Sequence, residues 1–393
     1  AHPLFRGPAL SLFPSQRHSL LAAFALLLGL GAAAWRVPHG AAPQLAAPPA
    51  QTGAPTASAL LTSTLLPQAA PSAHAAALAQ LPGGEVLAAW FAGSKEGAAD
   101  VALYLSRYRN GAWTPPQAIA TREQTQADTR RYVRKLGNPL LAVDGAGQLH
   151  LWYVSVAVGG WAGSSLNHRV SADGGAHWSP ARRLITAPFL NISTLVRNPP
   201  LLLADGSFAL PVYHEFISKH GEWLHLAHDG ATVLDKARLP GDRPLLQPAV
   251  VATGSEQLLA VLRDAGPGPG SLRLATSADA GQHWTAAPPL DIANPNSAAA
   301  MIRLADGRLL LACNPQESNR NKLSLWLSDD SGATWREARV LEQSTSSDDE
   351  FSYPALLQDQ DGRIHVAYTW KRLGIKHVVL TPAVLNLASG GRP

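Results

Sequence analysis

The chain is almost free of cysteine. Cys313 is the only one in 393 residues, which excludes an intramolecular disulfide framework, a Cys-x-x-Cys redox pair and any zinc site built from several thiolates. Within Leu309-Leu310-Leu311-Ala312-Cys313 it reads as a small buried apolar residue. Charge is scarce as well: Asp, Glu, Lys and Arg make up 15% of the residues against 46% hydrophobic. That composition excludes a disordered polyelectrolyte and a coiled coil, and leaves ample material for a core. An excess of one sign is also lacking. The 32 basic and 28 acidic residues leave a net charge of +4, spread thinly, without the basic stripe of a nucleic-acid binder. The eleven Trp lie among Gly and Asp rather than Lys and Arg, so they are not base-stacking platforms. No phosphate-binding glycine loop is present; Gly266-Pro267-Gly268-Pro269-Gly270 is a turn-rich connection. Fourteen histidines form no His-x-x-x-His pair on a helix, so neither a catalytic zinc site nor another cofactor is expected.

One long apolar run exists, from Ser19 to Ala34, preceded by Arg6, Arg17 and His18. Its length falls between a signal-peptide core and the roughly 20 residues that span a bilayer, and Ala32-Ala33-Ala34 suits cleavage. Residues 1–36 therefore read as a signal peptide or a signal anchor that engages the inner membrane if it is retained. Everything after Trp35 is expected to be exported: periplasmic, held at the inner membrane, or secreted. Residues 37–59 are rich in Ala and Pro and read as an extended tether.

The rest of the chain is repetitive. The pattern Ser-x-Asp-x-Gly-x-x-Trp begins at Ser171, Ser277 and Ser328, spacings of 106 and 51 residues, so a worn copy belongs near 225, where His228-Asp229-Gly230 stands. A degenerate version from Ser106 to Trp113 opens the series. A second signal agrees with the first. Hairpin-type turns fall at Gly83-Gly84, Asp144-Gly145, Asp205-Gly206, Gly254-Ser255, Asp306-Gly307 and Asp361-Gly362, mostly followed by strand-like runs such as Ile364-His365-Val366-Ala367-Tyr368. Six units of about fifty residues, with short strands and almost no helical periodicity, predict an all-β six-bladed β-propeller over residues 60–388, with 389–393 as a tail. The box is structural: its Asp and Ser or Thr bond their own turn, Gly permits the turn, and Trp packs beneath it. Function is expected where loops from all blades converge at one end of the central channel.

With this box and this turn series, the chain resembles the bacterial sialidase-like (BNR, Asp-box repeat) family of six-bladed propellers. The resemblance implies a pocket with three arginines around a substrate carboxylate, a tyrosine nucleophile supported by a glutamate, and a carboxylic acid/base on a loop. Tyr353-Pro354-Ala355-Leu356, eight residues before Asp361-Gly362, is similar to the nucleophile segment and implies Tyr353. A neutral phenol suits an anomeric carbon that bears a carboxylate, since it avoids the repulsion a second carboxylate would meet. Asn314-Pro315 followed by Arg320 implies one carboxylate-binding arginine, and Gln247-Pro248 leading through Leu258–Leu262 to Arg263 implies another; a planar guanidinium can meet both carboxylate oxygens. The loop Ser94-Lys95-Glu96-Gly97-Ala98-Ala99-Asp100 implies Glu96 as the acid/base, with Asp100 in reserve.

Two positions depart from the family. His74 stands where an arginine is expected, and is charged only below about pH 6.5 unless its pKa is raised. Gln247 stands where the supporting glutamate is expected and cannot take a proton, so Glu215, or Glu350 beside Tyr353, is the candidate replacement. The leading expectation is a retaining exo-glycosidase for a terminal acidic 2-keto sugar on an envelope or extracellular glycan, sialic acid or a relative such as 3-deoxy-manno-octulosonate. Two alternatives stay open: a uronate lyase, since a His and a Tyr beside an arginine clamp suit β-elimination, and a non-catalytic glycan-binding propeller, for which Gln247 argues.

Overall fold

The computed structural model describes residues 14–35, 43–46 and 59–386. Within the last span, hairpin glycines set the strands: Gly84, Gly206, Gly307 and Gly362 have φ between 81° and 91°, the left-handed region a tight reversal demands. In the second repeat Gly147 takes this role in place of Gly145, because the Asp144 carboxylate accepts the N–H groups of Ala146 and Gln148 and widens the turn. The Gly254-Ser255 turn closes without a left-handed glycine.

These hairpins generate six antiparallel sheets. Their innermost strands are Ser72–Gln80, Lys135–Val143, Leu195–Val196 with Leu201–Leu202, Leu245–Ala252, Ala300–Arg303 and Phe351–Gln358, and they define the first to sixth blades. The sixth is completed from the N-terminal side of the ring: Leu61–Leu65 pairs with Gly374–Leu380, Leu61 opposite Leu380. Ring closure thus uses backbone hydrogen bonds between segments more than 300 residues apart, and the edge of Gly374–Leu380 is covered at the seam.

The buried residues fall into six clusters, and each spans one interface between neighbouring blades. Leu87, Leu103 and Tyr153 join the first blade to the second, for example, and Ala76, Trp90, Ala367 and Ile375 join the first to the sixth. A blade presents two apolar faces and buries each against a neighbour, so the ring must close for every face to be covered. Down the axis, Ala77, Leu140, Arg197, Met301 and Leu356 leave about 20 Å³, room for about one water. The axis is a plug, and a ligand can only lie at its end.

The boxes lock this packing from outside. In each intact copy the serine hydroxyl meets the aspartate and accepts the glycine N–H (Ser277 to Asp279, 2.8 Å; Gly281 N–H to Ser277, 2.9 Å). A Cβ on Gly281 would lie 2.2 Å from the Trp223 indole of the preceding blade, and one on Gly332 would lie 2.4 Å from Leu259. Glycine is required there for contact between blades as much as for the turn.

Three features lie outside the repeat pattern. Pro14–Trp35 is a 22-residue helix with Leu20, Leu21, Phe24 and Leu27 exposed. Among the described residues no helix is long and apolar enough to cross a membrane. Arg122–Thr129 is an unforeseen helix between the first and second blades, capped by Thr121 Oγ1 accepting the Gln124 N–H and closed by Arg130 at φ 51°. Within the segment read as a tether, Leu45 is docked: it bridges to Leu203 and is buried against Trp223 and Leu239.

Two blades carry the same buried relay behind their turns. His150 Nδ1 meets His168 Nε2 at 2.9 Å and its Nε2 faces Asp144; His365 Nδ1 meets His377 Nε2 at 2.9 Å and its Nε2 faces Asp359. Burial, then the neighbouring imidazole, pushes His168 and His377 each down to about 3. Because the unfolded chain binds these protons near pH 6.5, stability from the neutral rings is complete above that pH and drains as pH falls toward 3, at up to about 1.4 kcal/mol per pH unit for each. Thermal midpoints measured from pH 7 to pH 4 should fall steadily, and His377→Gln should flatten the slope; a pH-independent midpoint over this range would contradict the relay.

Candidate active site

One end of the ring is built from backbone bulges. The innermost strands run away from this end, and near their starts Ala75, Asn138, Gln247 and Tyr353 all take positive φ, between 46° and 56°, where the register slips. A bulge re-aims a side chain that regular pairing would point along the blade face. Four non-glycine residues held left-handed at one end of one axis are a signature of a site whose geometry the surrounding packing enforces. A sequence signal for it existed and was missed: Asn138-Pro139, Asn198-Pro199, Gln247-Pro248 and Tyr353-Pro354 repeat an x-Pro step along the inner edge of the ring.

Under the tyrosine lies Arg197, which convergence alone reveals. It comes from the third blade, is 2% exposed, and donates Nη1 to the Ala76 carbonyl at 3.0 Å and Nη2 to the carbonyls of Tyr353 and Pro354 at 2.6 Å each. Its guanidinium carbon is 5.4 Å from the Tyr353 ring centroid. Burial brings it down to about 10, so it remains a cation at neutral pH.

Around Tyr353 the expected residues do meet. Arg263, at the end of Leu258–Asp264, places Nη1 3.2 Å from Tyr353 Oη and 3.0 Å from Gln247 Oε1. Gln247 Nε2 in turn donates to the buried Tyr213 hydroxyl at 3.2 Å, which also meets Asn138 Nδ2 at 3.3 Å. Arg320, just before Lys322–Ser328, sets its guanidinium carbon 5.8 Å from the Tyr353 ring. Burial opposes ionisation of this phenol, yet the charges of Arg263 and Arg320 and the hydrogen bonds of Gln247 and Arg263 outweigh it, so Tyr353 titrates below its ordinary value.

His74 is a different matter. Its ring centroid is 4.2 Å from that of Tyr353, but it is 2% exposed. Burial, reinforced by Arg372, drives its pKa well below the usual value, so it is neutral and supplies no cation. Nδ1 is bonded to Thr369 at 2.9 Å and Nε2 is buried without a partner. The extra positive charge comes instead from Arg372, which sequence reasoning missed. It occupies the sixth-blade hairpin between Ile364–Trp370 and Gly374–Leu380, where Lys371 and Arg372 both have positive φ, 54° and 55°. That double left-handed turn normally takes Asn-Gly, and two long basic residues forced into it mark a functional loop.

Arg372 binds Glu350 through Nε at 2.6 Å and pairs with Glu96 through Nη1. Glu350 also accepts Arg320 Nη1 at 3.1 Å and the Ser352 hydroxyl. Burial of Glu350 disfavours the carboxylate, but hydrogen bonds from Arg372 and Ser352 and the Arg372 charge bring it to about 2, so it is a fixed anion and a poor base. The other acidic candidates separate. Asp100 is exposed and spends both oxygens on Ser94, closing its own loop. Glu215 sits on the third-blade hairpin with its N–H on Ser193 Oγ at 2.8 Å, and makes no hydrogen bond with Tyr353. Arg197, Arg263 and Arg320 thus lie against the tyrosine, and Arg372 stands beside them between the Glu96 and Glu350 carboxyls, so guanidiniums outnumber acidic groups at this end of the ring.

Elsewhere, His214, His220 and Glu222 bring three ligand-type atoms within 4.8 Å. The two rings stack, 4.8 Å apart at 14°, and both turn Nε2 to Glu222, at 2.8 and 3.7 Å, while Lys236 already faces the same carboxylate at 3.2 Å. This is an ion network, and it does not offer a preformed metal cage.

Comparison with known proteins identifies the family and the fold. Residues 84–366 match the family described as BNR repeat-like domain, and the chain belongs to that family of sialidase-like propellers. Among solved structures it is similar to a Hadza microbial sialidase (15% identity, TM-score 0.65, 79% of this chain and 66% of that one). It is also similar to the intramolecular trans-sialidase from Ruminococcus gnavus (14%, 0.65, 83% and 98%) and to a protein of unknown function from Dyadobacter fermentans (16%, 0.64, 82% and 99%). No curated protein matches.

Replacing Arg197 by Met should leave three buried carbonyls unsatisfied and cost about 3 kcal/mol or more of unfolding free energy. Urea denaturation checks this; a loss below about 1 kcal/mol would show that the carbonyls find other donors.

Proposed function

We propose that the protein is a retaining exo-glycosidase releasing a terminal acidic 2-keto sugar, a sialic acid or a related ulosonic acid such as 3-deoxy-manno-octulosonate, from an envelope or extracellular glycan. The observation that carries this reading is the acidified phenol of Tyr353 set against Arg263 inside a pocket with surplus guanidinium charge. The sialidases among the structural neighbours support the same substrate class. The apolar N-terminal segment supports export, to the periplasm with or without retention at the inner membrane, or to the medium.

The reaction follows from the arrangement. The surplus charge of Arg263 and Arg320 attracts the sugar carboxylate, which a neutral His74 cannot do, and Arg372 supplies the remaining positive field. Tyr353, ionised with the help of the two guanidiniums, forms a bond from Oη to the anomeric carbon as the glycosidic C–O bond breaks. Glu96, the more exposed of the two carboxyls that Arg372 holds, gives its proton to the leaving oxygen. In the second half Glu96 takes a proton from water, the water oxygen bonds the anomeric carbon, and Tyr353 leaves as the phenolate. Gln247 needs no proton of its own: it holds Arg263 by its carbonyl, and Arg263 performs electrostatically what a glutamate would perform as a base.

The same Gln247 favours a second reading, a propeller that binds acidic glycans without cleaving them. A fluorinated 2-keto sugar that traps the intermediate separates the two. On the first reading, mass spectrometry finds the adduct on the Tyr353 peptide, and Tyr353→Phe lowers release of free sugar by about 10³-fold or more. An unmodified peptide together with measurable affinity for intact glycan decides for binding alone.

The electrostatic activation has its own consequence. Removing the Arg263 charge by Arg263→Met raises the Tyr353 pKa, so the acid limb of the kcat profile should move to higher pH. A limb that stays in place while only KM rises would confine Arg263 to substrate binding.

A further inference from the structure

We infer that the end of the propeller carrying Tyr353 has a membrane-binding rim over its second and third blades, suited to an anionic lipid surface. Four loops form it: residues 130–134, 157–163, 184–194 and 215–219. They are tied into one arc. The Arg134 N–H bonds the Val156 carbonyl at 2.7 Å and its Nη1 bonds that of Gly159 at 3.3 Å; Lys135 lies 3.9 Å over the Trp161 ring. The Ser193 N–H bonds the Ser164 carbonyl at 2.8 Å, and Ser193 Oγ accepts the N–H groups of Glu215 and Phe216. Chain direction puts all four loops at the end where the inner strands begin, the end of the bulges.

Their tips are apolar and turned to solvent. Tyr132, Val158, Phe189, Leu190, Phe216 and Ile217 are exposed, Ile217 by 94% and Leu190 by 69%. A propeller with well-filled blade interfaces has no folding reason to display such side chains on consecutive loops, and an exposed cluster of this kind marks an interaction surface. Among them stand Arg130, Arg131, Arg134 and Lys219, all exposed, with Glu215 the one acidic residue on the arc. Apolar tips beside basic side chains match an anionic bilayer, whose headgroups attract the cations and whose acyl boundary receives the tips.

The arc adjoins the pocket: Lys135 feels both Glu96 and Glu215. A bilayer seated here places Tyr353 beside headgroup-level sugars. The corollary, that the glycan is lipid-linked, rests on the glycosidase reading; the rim itself does not.

The test uses the full chain and needs no turnover, so its failure is distinct from failure of the glycosidase reading. Cys313 is fully buried, so a single introduced cysteine, Ile217→Cys, can carry an environment-sensitive fluorophore, with Ala146→Cys on the opposite end as control. The apolar N-terminal helix is common to both. With vesicles of phosphatidylcholine and phosphatidylglycerol, the label at position 217 should blue-shift and brighten while that at 146 stays unchanged. Adding Arg131→Gln and Lys219→Gln should weaken the partition reported at 217 by about 25-fold, roughly fivefold per charge. A label at 217 that keeps its aqueous emission, whether or not the protein pellets with the vesicles, overturns the proposal, as does an equal shift at 146.

Discussion

The pocket depends on one buried cation. Arg197 reaches from the third blade across the axis and satisfies carbonyls that the bulges of the first and sixth blades leave without strand partners. Without such a donor, interrupting the ladder at Tyr353 would bury unpaired acceptors, which folded proteins rarely tolerate. The guanidinium therefore licenses the irregular backbone that aims the phenol. It also keeps its charge, so the floor of the pocket is positive before any ligand arrives. Structural support and electrostatic bias come from the same side chain, which ties the tyrosine's position and its charged surroundings to one contact.

The architecture was open to a reader of the sequence because its determinants are local and repeated. Serine, aspartate and glycine of each box bond within eight residues, and each hairpin glycine acts on its own turn, so spacing alone counted six blades. Tyr353, Arg263, Arg320 and Gln247 were also legible, but only through the resemblance to the sialidase-like family, whose local segments each of them matches. Arg372 and Arg197 were not. Their roles arise from contacts across the ring, with Glu96 and with the carbonyls of Ala76 and Tyr353, and no local pattern encodes those. His74 shows the limit from the other side: its place was readable, but its neutral state depends on burial that the sequence does not display. Leu45 was hidden for a similar reason, because an Ala- and Pro-rich stretch looks like a tether unless its one large apolar residue meets a groove.

The departures from the family pattern explain one another. A histidine in place of an arginine removes a cation from the first blade, and Arg372 returns one from the sixth, but on a hairpin, where it needs Glu350 and Glu96 to hold it. A glutamine in place of a glutamate removes a negative charge beside Tyr353. That loss favours the phenolate, since the carboxylate that would have accepted its proton would also have repelled its charge. With Gln247 the balance tips to the guanidiniums, and the phenol is acidified by field rather than by a neighbouring base.

Glu350 then sets what the pocket accepts. As a fixed anion shared by Arg320 and Arg372, it holds two long side chains in place and neutralises part of their charge. A ligand without charge gains nothing by disturbing that pairing, because it would strip two cations of a carboxylate and return only neutral acceptors. A ligand carboxylate can instead meet the surplus of Arg263 and Arg320 while Glu350 stays seated, and each charge-assisted bond it forms is made in a site already ordered for it. On the proposed glycosidase reading, discrimination for acidic sugars would come less from the number of arginines than from the resident carboxylate, which keeps them ordered and denies them to neutral glycans.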